Sequence, residues 1–244
     1  MARENRFYGS GEETREGSLV TGGVFSIVFA LDALAAGLFL LTALGILGTR
    51  QVLASLQLFV LQSLLLAASA LLLGIAIGSA DLFAVAAITV ATKALLIPWL
   101  LRRTVSGEVY RTREIDQVLN IPTSLLIAAA LIVLAYVVAA PLLAIAKLPS
   151  IRINLPLGIA AMFLGAFTVA VRREALPQLL GLLALENGVF FAGIAIAPNL
   201  PVIAELAAAI DVPIVALVIG LLARRIHART GTTAVGRLAA LRER

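Results

Sequence analysis

Residues 52–77 read VLASLQLFVLQSLLLAASALLLGIAI. No charged side chain interrupts the run, and it exceeds the roughly 20 residues that a helix needs to cross about 30 Å of hydrocarbon. Its polar side chains Ser55, Gln62 and Ser69 fall seven residues apart, a spacing that returns to nearly the same helical face. The segment therefore reads as a membrane span carrying one polar stripe, preceded by Gln51. Such a stripe either bonds to a neighbouring helix or lines a wet path, and helix packing is its commoner use.

The rest of the chain repeats this pattern. Of 244 residues, 61% are hydrophobic and only 14% charged, with a mean hydropathy of +1.05. A soluble domain is about half apolar and about a quarter charged, which excludes a water-soluble globule. Apolar stretches of spanning length cover approximately 24–47, 52–77, 82–101, 122–146, 153–171, 176–197 and 200–222. Gly48-Thr49-Arg50, Gly78-Ser79-Ala80-Asp81 and Arg172-Arg173-Glu174 punctuate them, and Ala197-Pro198-Asn199-Leu200-Pro201 forms a tight hairpin, because each proline withholds a backbone donor and restricts its predecessor. The expected fold is an all-α, polytopic integral membrane helix bundle of about seven transmembrane helices. Residues 1–18 form a polar arm, 19–223 the bundle and 224–244 a basic tail. The first apolar run is too long for a secretory signal and reads as an anchor.

Most arginines flank one side of this bundle. Arg50, Arg102, Arg103, Arg111, Arg113, Arg172, Arg173 and the tail from Arg224 outnumber Arg3, Arg6, Arg15, Lys147 and Arg152 on the other. The positive-inside rule then places the C-terminus in the cytoplasm and the N-terminus outside. The formal charge of +5 is thus read as topology, and no nucleic-acid-binding pattern is visible. Trp99 and Tyr110 read as interfacial anchors.

Cysteine is absent and His227 is the sole histidine. Iron–sulfur clusters and nickel–iron centres need thiolates, and paired axial histidines need two residues, so the chain cannot hold such a centre alone. No catalytic, cofactor or metal site is expected. The polar segment 104–120 and the tail are too short for a domain with its own core, which assigns any soluble chemistry to other chains.

Ionisable side chains inside a membrane are functional candidates, because each costs about 2.5–3.5 kcal/mol to insert at the helix centre. Lys93, Glu186 and Asp211 lie near the middle of the third, sixth and seventh spans, at about one depth; Asp32 in the first lies roughly a turn away. Every other cation except Lys147 is arginine. A lysine reserved for the interior is the cation that can lose its proton there. Burial and a nearby ammonium act on a carboxyl in opposite senses and can hold it near neutral pH, as a proton relay requires. Pro98 and Pro213 withhold the donors that would meet the carbonyls of Ala94 and Ala209 in an α-helix, places where water can enter. Gly188 lets a neighbour approach Glu186. Glu205, nearer the end of the last span, reads as a rim residue; Gln62 joins the candidates for the path, and Asp32 is either a helix contact or a path residue. The structural alternative is an ion pair that fixes helix arrangement, for example Lys93 with Glu186. His227 reads as solvated.

The run Ala91-Thr92-Lys93-Ala94-Leu95-Leu96-Ile97-Pro98, the stretch Gly181-Leu182-Leu183-Ala184-Leu185-Glu186-Asn187-Gly188, and Asp211 followed by Leu221-Leu222-Ala223-Arg224-Arg225 resemble hydrogenase-4 component E. That family supplies a membrane subunit to formate hydrogenlyase-like, group 4 nickel–iron hydrogenase complexes. The resemblance covers roughly residues 24–235. From about residue 153 the chain is also similar to the K subunit of complex I and the C subunit of multisubunit cation/proton antiporters. Glu186 matches the first of two membrane glutamates of the complex I subunit by its local motif; Asp211 matches the second by position, one methylene shorter and followed by Pro213.

The resemblance implies a non-catalytic membrane-arm subunit in a hetero-oligomer, in the cytoplasmic membrane of a prokaryote. Its partners would be membrane lipids, antiporter-like large membrane subunits, and a peripheral redox arm whose own subunits carry nickel–iron or iron–sulfur centres. Glu186, Asp211 and Lys93 would belong to a lateral proton path. The rival functions are a purely structural scaffold and a subunit of a cation/proton antiporter. An independent transporter ranks last, since the breaks at Pro98 and Pro213 do not lie in matching halves.

Overall fold

The computed structural model describes residues 10–104, 118–146 and 149–196. Among them the secondary structure is helical: α1 (Ser10–Gly48), α2 (Val52–Ile77), α3 (Ala80–Thr89), a π segment (Val90–Leu96) leading into α4 (Ile97–Thr104), α5 (Ile121–Ile145), α6 (Pro149–Val171) and α7 (Ala175–Ile196). With α3, the π segment and α4 taken as one span, six helices among the described residues are long and apolar enough to cross a membrane. The seventh apolar run, 200–222, lies outside the described residues, as does the tail.

Two helices begin four or more residues before their apolar runs. α1 starts at Ser10, within the polar arm, and α6 starts at Pro149. Proline suits a helix start because its missing N–H would have no intrahelical partner there. Arg152 does not delay α6, since it is exposed and so close to the helix end that a long side chain can reach polar surroundings. Gly78 ends α2 in the left-handed conformation, φ +68°, donating its N–H to the Gly74 carbonyl. Asn120 caps α5, its Oδ1 accepting from the Thr123 N–H at 3.0 Å.

α6 and α7 form the tightest pair. Gly158 and Gly165 on α6 and Gly188 on α7 are so close to the facing helix that a Cβ would overlap the backbone of Ala192, Leu185 and Met162 respectively. Gly181 and Gly188 are seven residues apart, like Gly158 and Gly165, so each pair shares a face and lets the backbones approach. Phe39 of α1 stacks on Phe191 of α7 with ring centroids 4.3 Å apart, and Leu66, Val85 and Leu164 complete this core from α2, α3 and α6. α5 is peripheral. Only Ser124, Ala128, Ala135 and Ala139 are buried along it, while Leu126, Val133, Val137 and Ile145 are exposed.

Arg172, expected as a cation of the turn between α6 and α7, is instead only 2% exposed. Its Nη2 donates to the carbonyls of Ile46, Leu47 and Thr49 at 2.8, 2.9 and 2.7 Å. The first two belong to the last turn of α1, where acceptors lack intrahelical donors, and the third follows it directly, so the α6–α7 turn caps the first helix. Gln178 Nε2 holds the turn by donating to the Arg172 carbonyl at 2.8 Å. Burial, with a smaller push from Arg50, lowers the Arg172 pKa to about 10.

Candidate functional site: a buried ion pair and its polar neighbours

Lys93 lies in the π segment between α3 and α4. The wider turn is visible in its hydrogen bonding: the Ile97 N–H donates to the Thr92 carbonyl, five residues back. The freed carbonyl expected at Ala94 presupposes an unbroken α register; the backbone instead changes register just before Pro98, the residue that cannot donate. Thr92 adds a bond from its Oγ1 to the Ile88 carbonyl at 2.7 Å. Single π turns of this kind occur frequently at functional sites.

The π segment aims Lys93 at α7. Its Nζ is 3.1 Å from Glu186 Oε1 and 4.1 Å from the centroid of the Phe190 ring. Glu186 and Phe190 are four residues apart and share one helical face, so a single stretch of α7 offers the ammonium both a carboxylate and an aromatic face. The lysine side chain is 2% exposed and that of Glu186 20%. The acid is therefore the more exposed member of the pair.

Next to Glu186, Asn187 faces α2. Its Nδ2 donates to Ser63 Oγ at 3.0 Å and to Gln62 Oε1 at 3.4 Å, and Ser63 Oγ donates to its own helix at the Phe59 carbonyl, 3.0 Å away. Gln62, Ser63 and Asn187 are fully buried. Gln62 thus bonds to a neighbouring helix, the use expected of the α2 stripe. Its Nε2 and Asn187 Oδ1 are buried with no hydrogen-bond partner among the described residues.

Asp32 belongs to a second cluster. Ser69 Oγ donates to its Oδ1 at 2.5 Å, and Asn154 Nδ2 donates to its Oδ2 at 2.8 Å and to Ser69 Oγ at 3.5 Å. The acid is 1% exposed and touches α2 and α6, not the ion pair. Ser69 and Gln62 stand seven residues apart on α2, about 10 Å along the axis at 1.5 Å per residue. The Asp32 cluster therefore meets α2 about two turns from where Asn187 meets it.

Of the sequence candidates, Lys93 and Glu186 come together, Gln62 lies beside them through Asn187, and Asp32 is apart. Asp211, Glu205, Pro213 and His227 lie outside the described residues. Sequence reasoning weighed charged side chains and passed over Asn154, Ser63 and the amide of Asn187. An asparagine inside an apolar run was the available signal for Asn154. Among the described residues no three His, Cys, Asp or Glu side chains gather as a metal would require.

Over 220 residues the chain is 34% identical to the uncharacterized protein Rv0085 of Mycobacterium tuberculosis, an alignment spanning 90% of this chain and 98% of that protein. Hydrogenase-4 component E of Escherichia coli and of Shigella flexneri is 28% identical over 218 residues, 85% of this chain and 95% of theirs. No family model and no solved structure matches the chain.

Proposed function

We propose, from the premise that the chain belongs to the family of the uncharacterized mycobacterial protein Rv0085 and is related over most of its length to Hydrogenase-4 component E, that it is a non-catalytic membrane-arm subunit of a hydrogenase-4-like, complex I-related oxidoreductase complex. In this reading it sits in the cytoplasmic membrane of a prokaryote, beside antiporter-like large subunits, and a peripheral arm in other chains carries the redox centres. Its contribution is a segment of a proton path.

The observation that carries the reading is the Lys93–Glu186 contact of 3.1 Å on a π segment. A structural pair needs only opposite charges, which arginine would supply with better geometry and no tendency to deprotonate. Lysine supplies a proton that can leave. With Glu186 partly open, a proton can pass from Lys93 to the carboxylate and on to water or a neighbouring subunit, leaving both groups neutral in between. Asp211 and Glu205 would extend the path along the seventh run.

The test uses the intact complex in sealed vesicles. Glu186→Gln should leave assembly unchanged and lower proton pumping at least tenfold. Normal pumping by both Glu186→Gln and Lys93→Ala would overturn the relay. A scaffold role is the second reading, favoured by the inter-helix bonds of Gln62 and Asn187. It expects the same substitutions to abolish co-purification with the large membrane subunits instead.

A further inference from the structure

We infer that Asp32, Ser69 and Asn154 form a proton-binding site of their own, separate from the Lys93–Glu186 pair. The inference requires only that the chain spans a membrane, and it stands whether or not the pair relays protons.

The first argument is charge balance. Lys93 and Glu186 neutralise one another. Asp32 contacts a hydroxyl and an amide, and no cation pairs with it among the described residues. α2 carries no charged residue; α5 offers only Tyr136 and α6 only Arg152, both exposed; and the single charged residue of α7, Glu186, is engaged by Lys93. A buried acid without a counter-charge in hydrocarbon is neutral when it holds a proton, and a proton is the smallest ligand that achieves this.

The second argument is hydrogen-bond inventory. An ionised carboxylate only accepts, whereas a carboxylic acid also carries a donor that needs an acceptor. The observed bonds serve the first state, with Ser69 Oγ and Asn154 Nδ2 donating. Asn154 Oδ1 serves the second. It is buried with no hydrogen-bond partner among the described residues, and rotation of the amide presents it to the acid in place of Nδ2. Ser69 can likewise turn its hydroxyl from donor to acceptor. A lysine, arginine or tryptophan could not switch in this way. The step is a proton transfer: hydronium gives one proton to the carboxylate, so that one O–H bond forms on the acid as one breaks in the hydronium ion, which is left as water.

The site lies in the half of the bundle where α6 begins and α2 ends, the outer half by the positive-inside reading. It is therefore placed to exchange protons with that side, about two helical turns from the level of Gln62 and Asn187.

Infrared difference spectroscopy of the full chain in lipid nanodiscs, stepped in pH with potassium as the only alkali cation, tests this. Wild type should show a carboxylic C=O band that is lost as pH rises. Asp32→Asn should lose that component, Glu186→Gln should retain it, and Asn154→Ala should shift it by removing one hydrogen-bond partner. If Asp32→Asn does not insert, the Asn154→Ala shift decides. Survival of that same component in Asp32→Asn, or its failure to move in Asn154→Ala, overturns the proposal. Loss of the band on replacing potassium by sodium at fixed pH also overturns it, by making an alkali ion the ligand. Pumping by Glu186→Gln is read separately, so failure of the relay and failure of this site are distinguishable.

Discussion

Glu186 and Asp32 are both carboxylic side chains within apolar helices, yet their surroundings solve the cost of burial differently. Glu186 is matched by an ammonium at 3.1 Å and keeps a fifth of its side chain exposed. Asp32 is sealed at 1% exposure and answered by a hydroxyl and an amide from two other helices. The first arrangement makes two charges depend on each other; the second makes one group depend on neutral partners that tolerate either protonation state. Removing a partner should therefore be far more costly at the first site.

Lys93→Met gives the largest expected effect. It leaves Glu186 without its ammonium and removes the contact with Phe190, and breaking a buried pair from one side costs about 3–5 kcal/mol. Unfolding of the detergent-solubilised protein measures it. The Lys93→Met, Glu186→Gln double substitution should recover part of the loss, since no unpaired charge remains. Simple additivity of the two single changes would mean that the pair contributes nothing as a pair, and the contrast with Asp32 would collapse.

Arg172→Met comes next. Here a cation is answered by backbone dipoles, the carbonyls of Ile46 and Leu47 in the last turn of α1 and of Thr49 just after it, an arrangement closer to that of Asp32 with the sign reversed. Hydrogen bonds to charged groups contribute about 1.5–3 kcal/mol, and the loss should appear as faster amide exchange at the turn between α1 and α2. With the folded pKa held at about 10, folded and unfolded chains alike hold this proton at neutral pH. Protection there should be flat with pH, and linkage enters only above the folded pKa, where the unfolded chain binds more protons and this group's contribution to stability rises. A pH-dependent loss of protection near neutrality would show that another group controls the cap.

The spans were legible in the sequence because length and apolarity are properties of a single segment. The Lys93–Glu186 contact was legible for a related reason: opposite charges at one depth in hydrocarbon have few other partners to find. What escaped was set by three-dimensional closure. Arg172 stands in a basic turn and reads as topology, but the α6–α7 turn meets the end of α1, and nothing local announces that. The π register at Lys93 depends on which carbonyl each N–H selects, which composition around Pro98 does not specify. Asn154 carried a signal, an amide within an apolar run, but its partner Asp32 lies 122 residues away in the sequence, and nothing local joins the two into the cluster that stands apart from the pair.

The smallest effect is expected at Ser63, which lies beside the pair's level but carries no charge. Ser63→Ala removes the 3.0 Å bond from Asn187 Nδ2, leaving the longer one to Gln62 Oε1 at 3.4 Å. The hydroxyl also donates to Phe59 within its own helix, and that carbonyl has a backbone N–H to fall back on. Inter-helix hydrogen bonds in membranes average about 0.6 kcal/mol, because the separated helices also find partners. A loss of that size in detergent unfolding, with co-purification and pumping unchanged, would place the expense of this region in its charges rather than its amides. A loss above about 2 kcal/mol, beyond the usual range for such bonds, would instead make Asn187 the anchor between α2 and α7, and the ion pair its dependant.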